Sequence, residues 1–502
     1  MAEKTKATDV KDAKDSNSST KPETPKGATK NLVWKSKGKS LSYGATSDWM
    51  ILRKKEKPIA EMFYTYYKAK SSKKRPITFV FNGGPGAASA YLHIGGLGPL
   101  RALFESDGNL KAPPTQLVNN QESWLEFTDL VFIDPIGTGF SRVIEAEEPK
   151  GDKKEDPKKL VDEKEFYQIN RDLDSLGEFI EKFLSKNKLW DANVYLAGES
   201  YGGYRTAKLA RRLQERHGIG LTAVIAISPA LEWSLLNSHD YDVLHFVDSF
   251  CTMALTAVHH GKSKAIRSGT DIETARKKIE VFATKEYAMA LVSGDTLSEK
   301  EQHAIFKKAA DFIGLEPGYV IQAMGRVRFW QFARMLLKDE RKIVGFYDST
   351  ITAVDPFADR DMHEAPDPTL TSIERVFTSG INQMLRSHIG IETDRRYTLL
   401  SEEVNMAWKR DDQKHVFDMV VGSVDDLRFA MSMNQHMKVL ITHGYYDMVT
   451  PYFSSERLGA QMRLLPDQRS NLSIKHFGGG HMFYTWDDSR KAFRDWVKTV
   501  YV

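Results

Sequence analysis

Short apolar runs alternate with longer amphipathic stretches through the first half of the chain. Five runs rich in aromatic and β-branched residues predict β-strands, at 60–67, 76–81, 130–134, 193–197 and 223–227. Two stretches with apolar residues at helical spacing or strong helix formers predict helices, at 162–184 and 205–212. Strands that alternate with helices are typical of a mostly parallel sheet covered on both faces.

The pattern changes after residue 227 and changes back near the end of the chain. Helices are predicted at 272–291, 298–313 and 327–338, whereas strands return only at 437–442 and 472–475, before a last amphipathic helix at 485–500. We therefore expect an α/β fold whose core is made of residues 31–231 and 426–502. Residues 232–425 are expected to form a large, mainly helical cap insertion, and the polar residues 1–30 a disordered tail.

Charge and cysteine content narrow the function classes. Of the 502 residues, the first 40 hold ten lysines against five acidic residues, so the net charge of +4 belongs to this end and the body is near neutral. A neutral body gives no basis for nucleic-acid binding. The single cysteine, Cys251, excludes an intramolecular disulfide. No signal-peptide core precedes residue 30, and no apolar stretch is long enough for a membrane span, so cytoplasmic residence without a membrane partner is predicted.

Ser200 is the candidate nucleophile. It stands in Gly-Glu-Ser-Tyr-Gly at 198–202, which matches G-x-S-x-G, between the predicted strand at 193–197 and the predicted helix at 205–212. Small residues on both sides allow a sharp turn that exposes the serine hydroxyl. The context therefore agrees with the motif, which alone occurs often by chance.

Asp447 and His481 complete a candidate triad. Each follows a separate predicted strand, as Ser200 does, and ligand sites of open α/β sheets lie beyond the carboxyl ends of strands. The order Ser, Asp, His is that of α/β-hydrolases, in which the histidine takes the serine proton and the acid orients and stabilises the imidazole. His443 and His476 also lie near strand ends, but we interpret them as strand-edge or loop histidines.

Acyl chemistry also needs donors for an oxyanion. The amide of Tyr201 follows the nucleophile, and the glycine-rich loop Asn-Gly-Gly-Pro-Gly at 82–86 can supply a second amide from Gly83 or Gly84. A metal or nucleotide site is not expected. His363-Glu364 lacks the second histidine of H-E-x-x-H, and the Gly-Lys-Ser runs at 38–40 and 261–263 lack the first glycine of a P-loop. We predict no cofactor.

Four motifs in order resemble the serine carboxypeptidase family, peptidase family S10: residues 82–86, Asp-Pro-Ile-Gly-Thr-Gly-Phe-Ser at 134–141, residues 198–202 and Gly-His-Met at 480–482. The resemblance spans about residue 60 to the C-terminus and implies an α/β-hydrolase fold and the triad Ser200, Asp447 and His481. It also implies an oxyanion hole from Gly84 and Tyr201. Asn82 and Glu199 are implied to bind the C-terminal carboxylate of a peptide. A protonated Glu199 can donate a hydrogen bond to a carboxylate, whereas an ionised one repels it.

The chain departs from the family pattern at several positions. The family usually has a second glutamate before Leu-Gly-Pro, where this chain has Gly96, so the acidic optimum of the family is not implied. Val80 and Ala87 replace a tryptophan and a cysteine of the family, which indicates a disulfide-free, bacterial-type member. Arg142 follows the loop at 134–141, either as a partner for a carboxylate or as a solvated arginine.

These features predict a serine carboxypeptidase that hydrolyses the C-terminal bond of peptides through an acyl-enzyme. The same triad would also serve an esterase or acyltransferase, and a non-enzymatic binding protein could retain the fold. Side-chain preference and oligomeric state stay open, with a homodimer as one option for the latter.

Overall fold

The computed structural model describes residues 23–54, 56–144, 163–236, 239–360, 367–409 and 421–501. Its strands are β1 Ala28–Ser36, β2 Lys39–Lys54, β3 Lys57–Ala69, β4 Ile77–Phe81, β5 Leu100–Ala102, β6 Leu117–Asn119, β7 Asp129–Ile133, β8 Arg142–Val143, β9 Val194–Glu199, β10 Ala223–Ile227, β11 Lys342–Val344, β12 Thr352–Val354, β13 Lys438–Gly444 and β14 Leu472–Phe477.

The α-helices are α1 Ala90–Leu92, α2 Ile169–Asn187, α3 Tyr201–His217, α4 Val243–His259, α5 Ile272–Phe282, α6 Ala288–Ser293, α7 Glu299–Ile313, α8 Pro317–Gln322, α9 Phe329–Met335, α10 Thr371–Asn382, α11 Glu402–Ala407, α12 Val424–Met433, α13 Tyr452–Gln461, α14 Pro466–Arg469 and α15 Asp487–Lys498. Short π-helical turns lie at His93–Leu97, Ala283–Tyr287 and Gln383–Ile389.

One large sheet organises the described residues. Its strands follow the order β1-β2-β3-β7-β4-β9-β10-β13-β14, with β8 beside β3. The pairs from β1 to β7 are antiparallel, and those from β7 to β14 are parallel. The predicted α/β class, with a mostly parallel central sheet flanked by helices, is confirmed. Each of the seven sequence-predicted strands overlaps a strand of this sheet.

The central strands are apolar throughout because both faces of the sheet are covered. Successive side chains of a strand point to opposite faces. In β10, Val224 and Ala226 join a core that includes residues of α2 and α3, whereas Ile225 and Ile227 join a second core that includes residues of α15. This burial on both sides explains why the strands read as continuous apolar runs.

The part of the chain from α4 to β11 has a core of its own, whereas buried residues of α10 and α12 join the two cores of the sheet. Buried side chains from α4, α5, α7 and β11 form this separate core together with residues of the segment after β13. Helix α7 begins and ends where the sequence predicted. Ser298 and Glu301 form a capping box at its start, and Gly314 ends it in the left-handed conformation. The division into core and cap at residues 232 and 425 remains a prediction.

The sequence pattern missed the antiparallel end of the sheet. Strands β1 and β2 form a long hairpin that pairs Ala28 with Ser47 and Ser36 with Lys39. Strand β1 begins three residues inside the stretch predicted as a tail, while residues 1–22 of that stretch lie outside the described residues. No helix in the described part of the chain combines the length and the apolar character needed to cross a bilayer.

Candidate active site

The carboxyl ends of four strands in the parallel part of the sheet, β4, β9, β13 and β14, bring the candidate residues together. Asn82 follows β4, Glu199 ends β9, and Asp447 and His481 lie a few residues beyond β13 and β14. The register keeps these ends level: Phe81 pairs with Gly198, and Gly444 pairs with Phe477. The sheet therefore gathers side chains that are hundreds of residues apart in the chain.

Ser200 occupies the sharp turn between β9 and α3. Its φ of 60° and ψ of −124° lie in a region that non-glycine residues rarely adopt. The turn is held by its backbone, because the Ser200 amide donates to Ile227 O at 3.0 Å and the Ser200 carbonyl accepts from the amides of Gly203 and Ala230. The serine side chain is partly exposed, as a nucleophile at a strand-to-helix turn must be.

His481 and Asp447 are buried and hydrogen-bonded to each other. His481 Nδ1 lies 2.7 Å from Asp447 Oδ2, and the two side chains are 5% and 0% exposed. The amides of Val449 and Thr450 each donate to Asp447 Oδ1 at 2.9 Å. These bonds fix the carboxylate, which in turn orients the imidazole.

Thr450 adds a contact that the sequence did not indicate. Its hydroxyl donates to Asp447 Oδ2 at 2.6 Å and lies 3.1 Å from His481 Nδ1. Burial lowers the pKa of His481, but the negative charge and hydrogen bond of Asp447 and the charge of Glu199 outweigh it, so the pKa is raised overall.

Ser200 and His481 line the same cavity. Within the described residues, no hydrogen bond joins the Ser200 hydroxyl to the imidazole. Catalytic hydrogen bonds are often long before substrate binds, so the two groups remain a candidate nucleophile and base.

The glycine loop after β4 packs directly on the turn at Ser200. A side-chain carbon added to Gly83 would lie 2.4 Å from the Tyr201 nitrogen and 2.8 Å from Glu199 O, so only glycine allows this approach. Gly84 lines the cavity next to it. The contact brings the Gly83-Gly84 segment and the Tyr201 amide to one side of the candidate nucleophile.

Glu199 is a buried carboxyl beside Ser200. It accepts a hydrogen bond from Asn82 Nδ2, and Asn82 Oδ1 accepts from the Leu92 amide at 3.0 Å, which fixes the orientation of the asparagine. Burial raises the pKa of Glu199 to about 7, against the opposing influence of His481 and of the hydrogen bonds from Tyr484 and Asn82. The carboxyl thus retains its proton to near neutral pH.

The rest of the cavity wall is mostly apolar. Besides the residues named above, it is lined by Ala87, Tyr91, Tyr347, Leu370, Leu400 and Met482. Tyr347, Leu370 and Leu400 come from the stretch predicted as a cap. The Tyr347 carbonyl also accepts from the His481 amide at 2.5 Å, so this stretch helps to hold the histidine loop.

Three other side chains that the sequence analysis singled out lie away from the cavity. Arg142 is a partner for a carboxylate of the chain itself, because its Nε pairs with the buried Glu61 at 2.7 Å. His443 is not at a strand edge: it lies in β13 between two neighbouring strands and contacts Ser455 at 2.7 Å. His476 lies in the edge strand β14, as expected.

No group of three or more histidine, cysteine, aspartate or glutamate side chains is arranged to hold a metal ion in the described ranges.

Comparison with known protein families shows which family the chain comes from, since the model for serine carboxypeptidases (Peptidase_S10) matches residues 45–476. The chain belongs to the serine carboxypeptidase family. The match includes Ser200 and Asp447 and ends shortly before His481.

Curated serine carboxypeptidases match parts of the chain. The pheromone-processing carboxypeptidase KEX1 of Verticillium alfalfae is 31% identical over 163 residues, which are 31% of this chain and 21% of the relative. Serine carboxypeptidase-like 49 of Arabidopsis thaliana is 24% identical over 219 residues, or 39% of this chain and 37% of the relative. The matched regions thus span about a fifth to two fifths of these relatives.

A solved structure extends the likeness to the fold. The prohormone-processing carboxypeptidase Kex1(delta)p of Saccharomyces cerevisiae superposes with a TM-score of 0.54 at 15% identity and covers 91% of each chain. At this identity the likeness concerns the fold, and it agrees with the α/β-hydrolase class predicted from the sequence.

Proposed function

We propose that this protein is a serine carboxypeptidase that removes the C-terminal residue of peptides through an acyl-enzyme. The observation that carries the proposal is the position of Glu199 and Asn82 next to Ser200, in one cavity at the strand ends. A buried carboxyl with a pKa of about 7 is protonated in mildly acidic to neutral solution. It can therefore donate to the free carboxylate of a peptide held near the nucleophile.

The nucleophile is Ser200 and the base is His481. As the Ser200 oxygen attacks the scissile carbonyl carbon, the imidazole takes the serine proton and later gives it to the leaving amine. Asp447 stabilises the resulting imidazolium through the 2.7 Å hydrogen bond to His481 Nδ1. Water then hydrolyses the acyl-enzyme with the same base.

The oxyanion that forms during the attack of Ser200 needs hydrogen-bond donors close to the nucleophile. We assign this role to the amides of Gly84 and Tyr201. The close approach of Gly83 to Tyr201 supports the assignment, because it holds the glycine loop against the start of α3. Two fixed amides stabilise the negative charge as it develops and cost no reorganisation during the reaction.

The carboxylate site selects the substrate. Glu199 and the amide group of Asn82 bind the terminal carboxylate, which places the last peptide bond, and no internal bond, at Ser200. A C-terminal amide lacks the charged acceptor and leaves the proton of Glu199 without its partner. We therefore expect discrimination between free-acid and amidated peptides.

Mass-resolved trimming of matched free-acid and amidated peptides tests the proposal. Wild-type protein should shorten only the free-acid peptides, one residue at a time. Ser200→Ala should abolish trimming, whereas Ser432→Ala, on α12, should trim normally.

Two outcomes would contradict the proposal. Equal cleavage of amidated peptides would refute carboxylate recognition. Turnover of esters without any trimming would favour an esterase or acyltransferase on the same residues.

Residence in the cytoplasm and the absence of a nucleic-acid partner remain predictions from composition. Cys251, the single cysteine, is buried. Fractionation of cells that produce the protein at native level would test the location.

A further inference from the structure

Tyr484, like Asn82, forms a direct hydrogen bond with the carboxyl of Glu199. Its hydroxyl lies 2.9 Å from both carboxyl oxygens of Glu199. The side chain is fully buried and belongs to the short turn Phe483–Thr485, just after His481. Burial raises the pKa of Tyr484 well above its usual range, so the hydroxyl keeps its proton and acts as a donor to the carboxyl.

Two glycines make room for the tyrosine ring. A side-chain carbon added to Gly95 would lie 2.7 Å from Tyr484 Cε2, and one added to Gly96 would lie 3.0 Å from Cδ2. Both glycines belong to the π-helical turn His93–Leu97. The ring therefore fills the space that side chains from this turn would otherwise occupy, including the position at which the resembled family has its second glutamate.

The other groups around Glu199 leave a distinct role for this hydroxyl. The charges of His481 and Asp447 influence the pKa of the carboxyl. Tyr91 and Tyr347 are also close enough to interact electrostatically with it. Within the described residues, only Asn82 and Tyr484 donate hydrogen bonds to it. Asn82 contacts one oxygen and Tyr484 reaches both, so together they fix the plane of the carboxyl.

We propose that Tyr484 is a positioning residue that fixes the carboxyl of Glu199 and sets the pH at which Glu199 loses its proton. The functional consequence rests on the proposed role of Glu199 in binding the substrate carboxylate. A hydroxyl that donates to a carboxyl stabilises the ionised form and opposes the effect of burial. Tyr484 thus lowers the upper pH limit at which Glu199 can still donate its proton to a substrate.

Infrared titration tests the first part without substrate. The carbonyl band of protonated Glu199 is identified by subtracting the spectrum of Glu199→Gln. In Tyr484→Phe, which keeps the ring and removes the hydroxyl, this band should persist to a pH about one unit higher, the shift expected for losing one hydrogen bond to a charged group.

A matched control is Tyr287→Phe, which removes another buried hydroxyl, bonded to Gly325 O at 2.7 Å in the region between β10 and β13. Its Glu199 midpoint should equal that of the wild type. An unchanged midpoint in Tyr484→Phe, or the same shift in Tyr287→Phe, would overturn the proposal. Gly95→Ala provides a second variant, because its methyl group must displace the ring, and it should raise the midpoint in the same direction.

Kinetics separate this proposal from the proposed function. On free-acid peptides at pH 6, Tyr484→Phe should raise KM about threefold, as expected when a binding group is less well oriented, with kcat near the wild-type value. The high-pH loss of kcat/KM should also move upward. If the wild type trims no peptide, the proposed function fails while the infrared shift still decides the relation between Tyr484 and Glu199.

Discussion

Arg205 and Asp172 form a two-pronged ion pair beneath the site, with Nε–Oδ2 and Nη2–Oδ1 distances of 2.7 and 3.1 Å. The two side chains are 1% and 4% exposed. The third nitrogen, Arg205 Nη1, donates to the carbonyl of Asn82 at 2.7 Å. The pair thus links α2 and α3 to the start of the glycine loop.

Removal of Asp172 should destabilise the protein strongly. Asp172→Ala leaves the Arg205 charge buried without its partner, which typically costs about 3–5 kcal/mol. Equilibrium unfolding in urea measures the loss. The matched control is Glu215→Ala, which breaks an exposed pair with Arg211 on α3 and should change stability by less than about 1 kcal/mol. Equal effects of the two changes would show that burial of the Arg205 pair does not matter.

Thr450 should matter for turnover through its contacts with Asp447 and His481. Thr450→Val removes the hydroxyl that lies 2.6 Å from Asp447 Oδ2 and 3.1 Å from His481 Nδ1. We expect kcat to fall roughly tenfold, which corresponds to the loss of one hydrogen bond. Thr450→Ser keeps the hydroxyl and should retain nearly full activity. If the serine variant is as slow as the valine variant, the loss of the hydroxyl does not explain the slower turnover.

The sequence predicted the parallel half of the sheet well and its antiparallel end poorly. Strands buried on both faces are short apolar runs that stand out from their surroundings. Strand β2 is instead a mixed stretch in which Tyr43, Ala45, Ser47 and Trp49 are buried while residues between them are partly exposed. Its alternation was detectable, but Ser47 in a buried position and Gly44 between its neighbours obscure the pattern.

For the candidate site, short motifs in the sequence identified the main side chains, because loops rich in glycine at strand ends are easy to recognise in a sequence. Their catalytic and binding roles remain predictions. Thr450 and Tyr484 could not be found in this way, since each is an ordinary residue whose importance comes from what the fold places beside it. The glycine pair at 95–96 was a signal, but only the neighbouring ring explains it.

The pH dependence should differ between substrates with and without a carboxylate. His481 must be neutral to accept the serine proton, and its pKa is raised, so activity should fall as the pH drops through a value above about 6.5. Glu199 must be protonated to bind a carboxylate, and its pKa is about 7, so binding should weaken as the pH rises through that value. Free-acid peptides should therefore give a narrow bell-shaped profile of kcat/KM near neutral pH.

An activated ester without a carboxylate isolates the first limb of that profile. It should show the loss of activity at low pH and no loss near pH 7. Glu199→Gln keeps a donor at every pH, so its profile on free-acid peptides should lack the high-pH limb. Because the charges of His481 and Glu199 influence each other, the two limbs belong to the pair, and the low-pH limb should shift downward in this variant. A high-pH limb that survives in Glu199→Gln would contradict the assignment.

Gly83 offers the sharpest test of the proposed oxyanion hole. In Gly83→Ala the new methyl group would lie 2.4 Å from the Tyr201 nitrogen, so the glycine loop must move away from α3 or the amide is covered. Loss of one oxyanion donor lowers kcat by about 10²–10³, and we expect a decrease of this size on both peptides and esters. Gly220→Ala is the matched control, because a side chain there meets open space. Full activity of Gly83→Ala in a folded protein would mean that the oxyanion is stabilised by other groups.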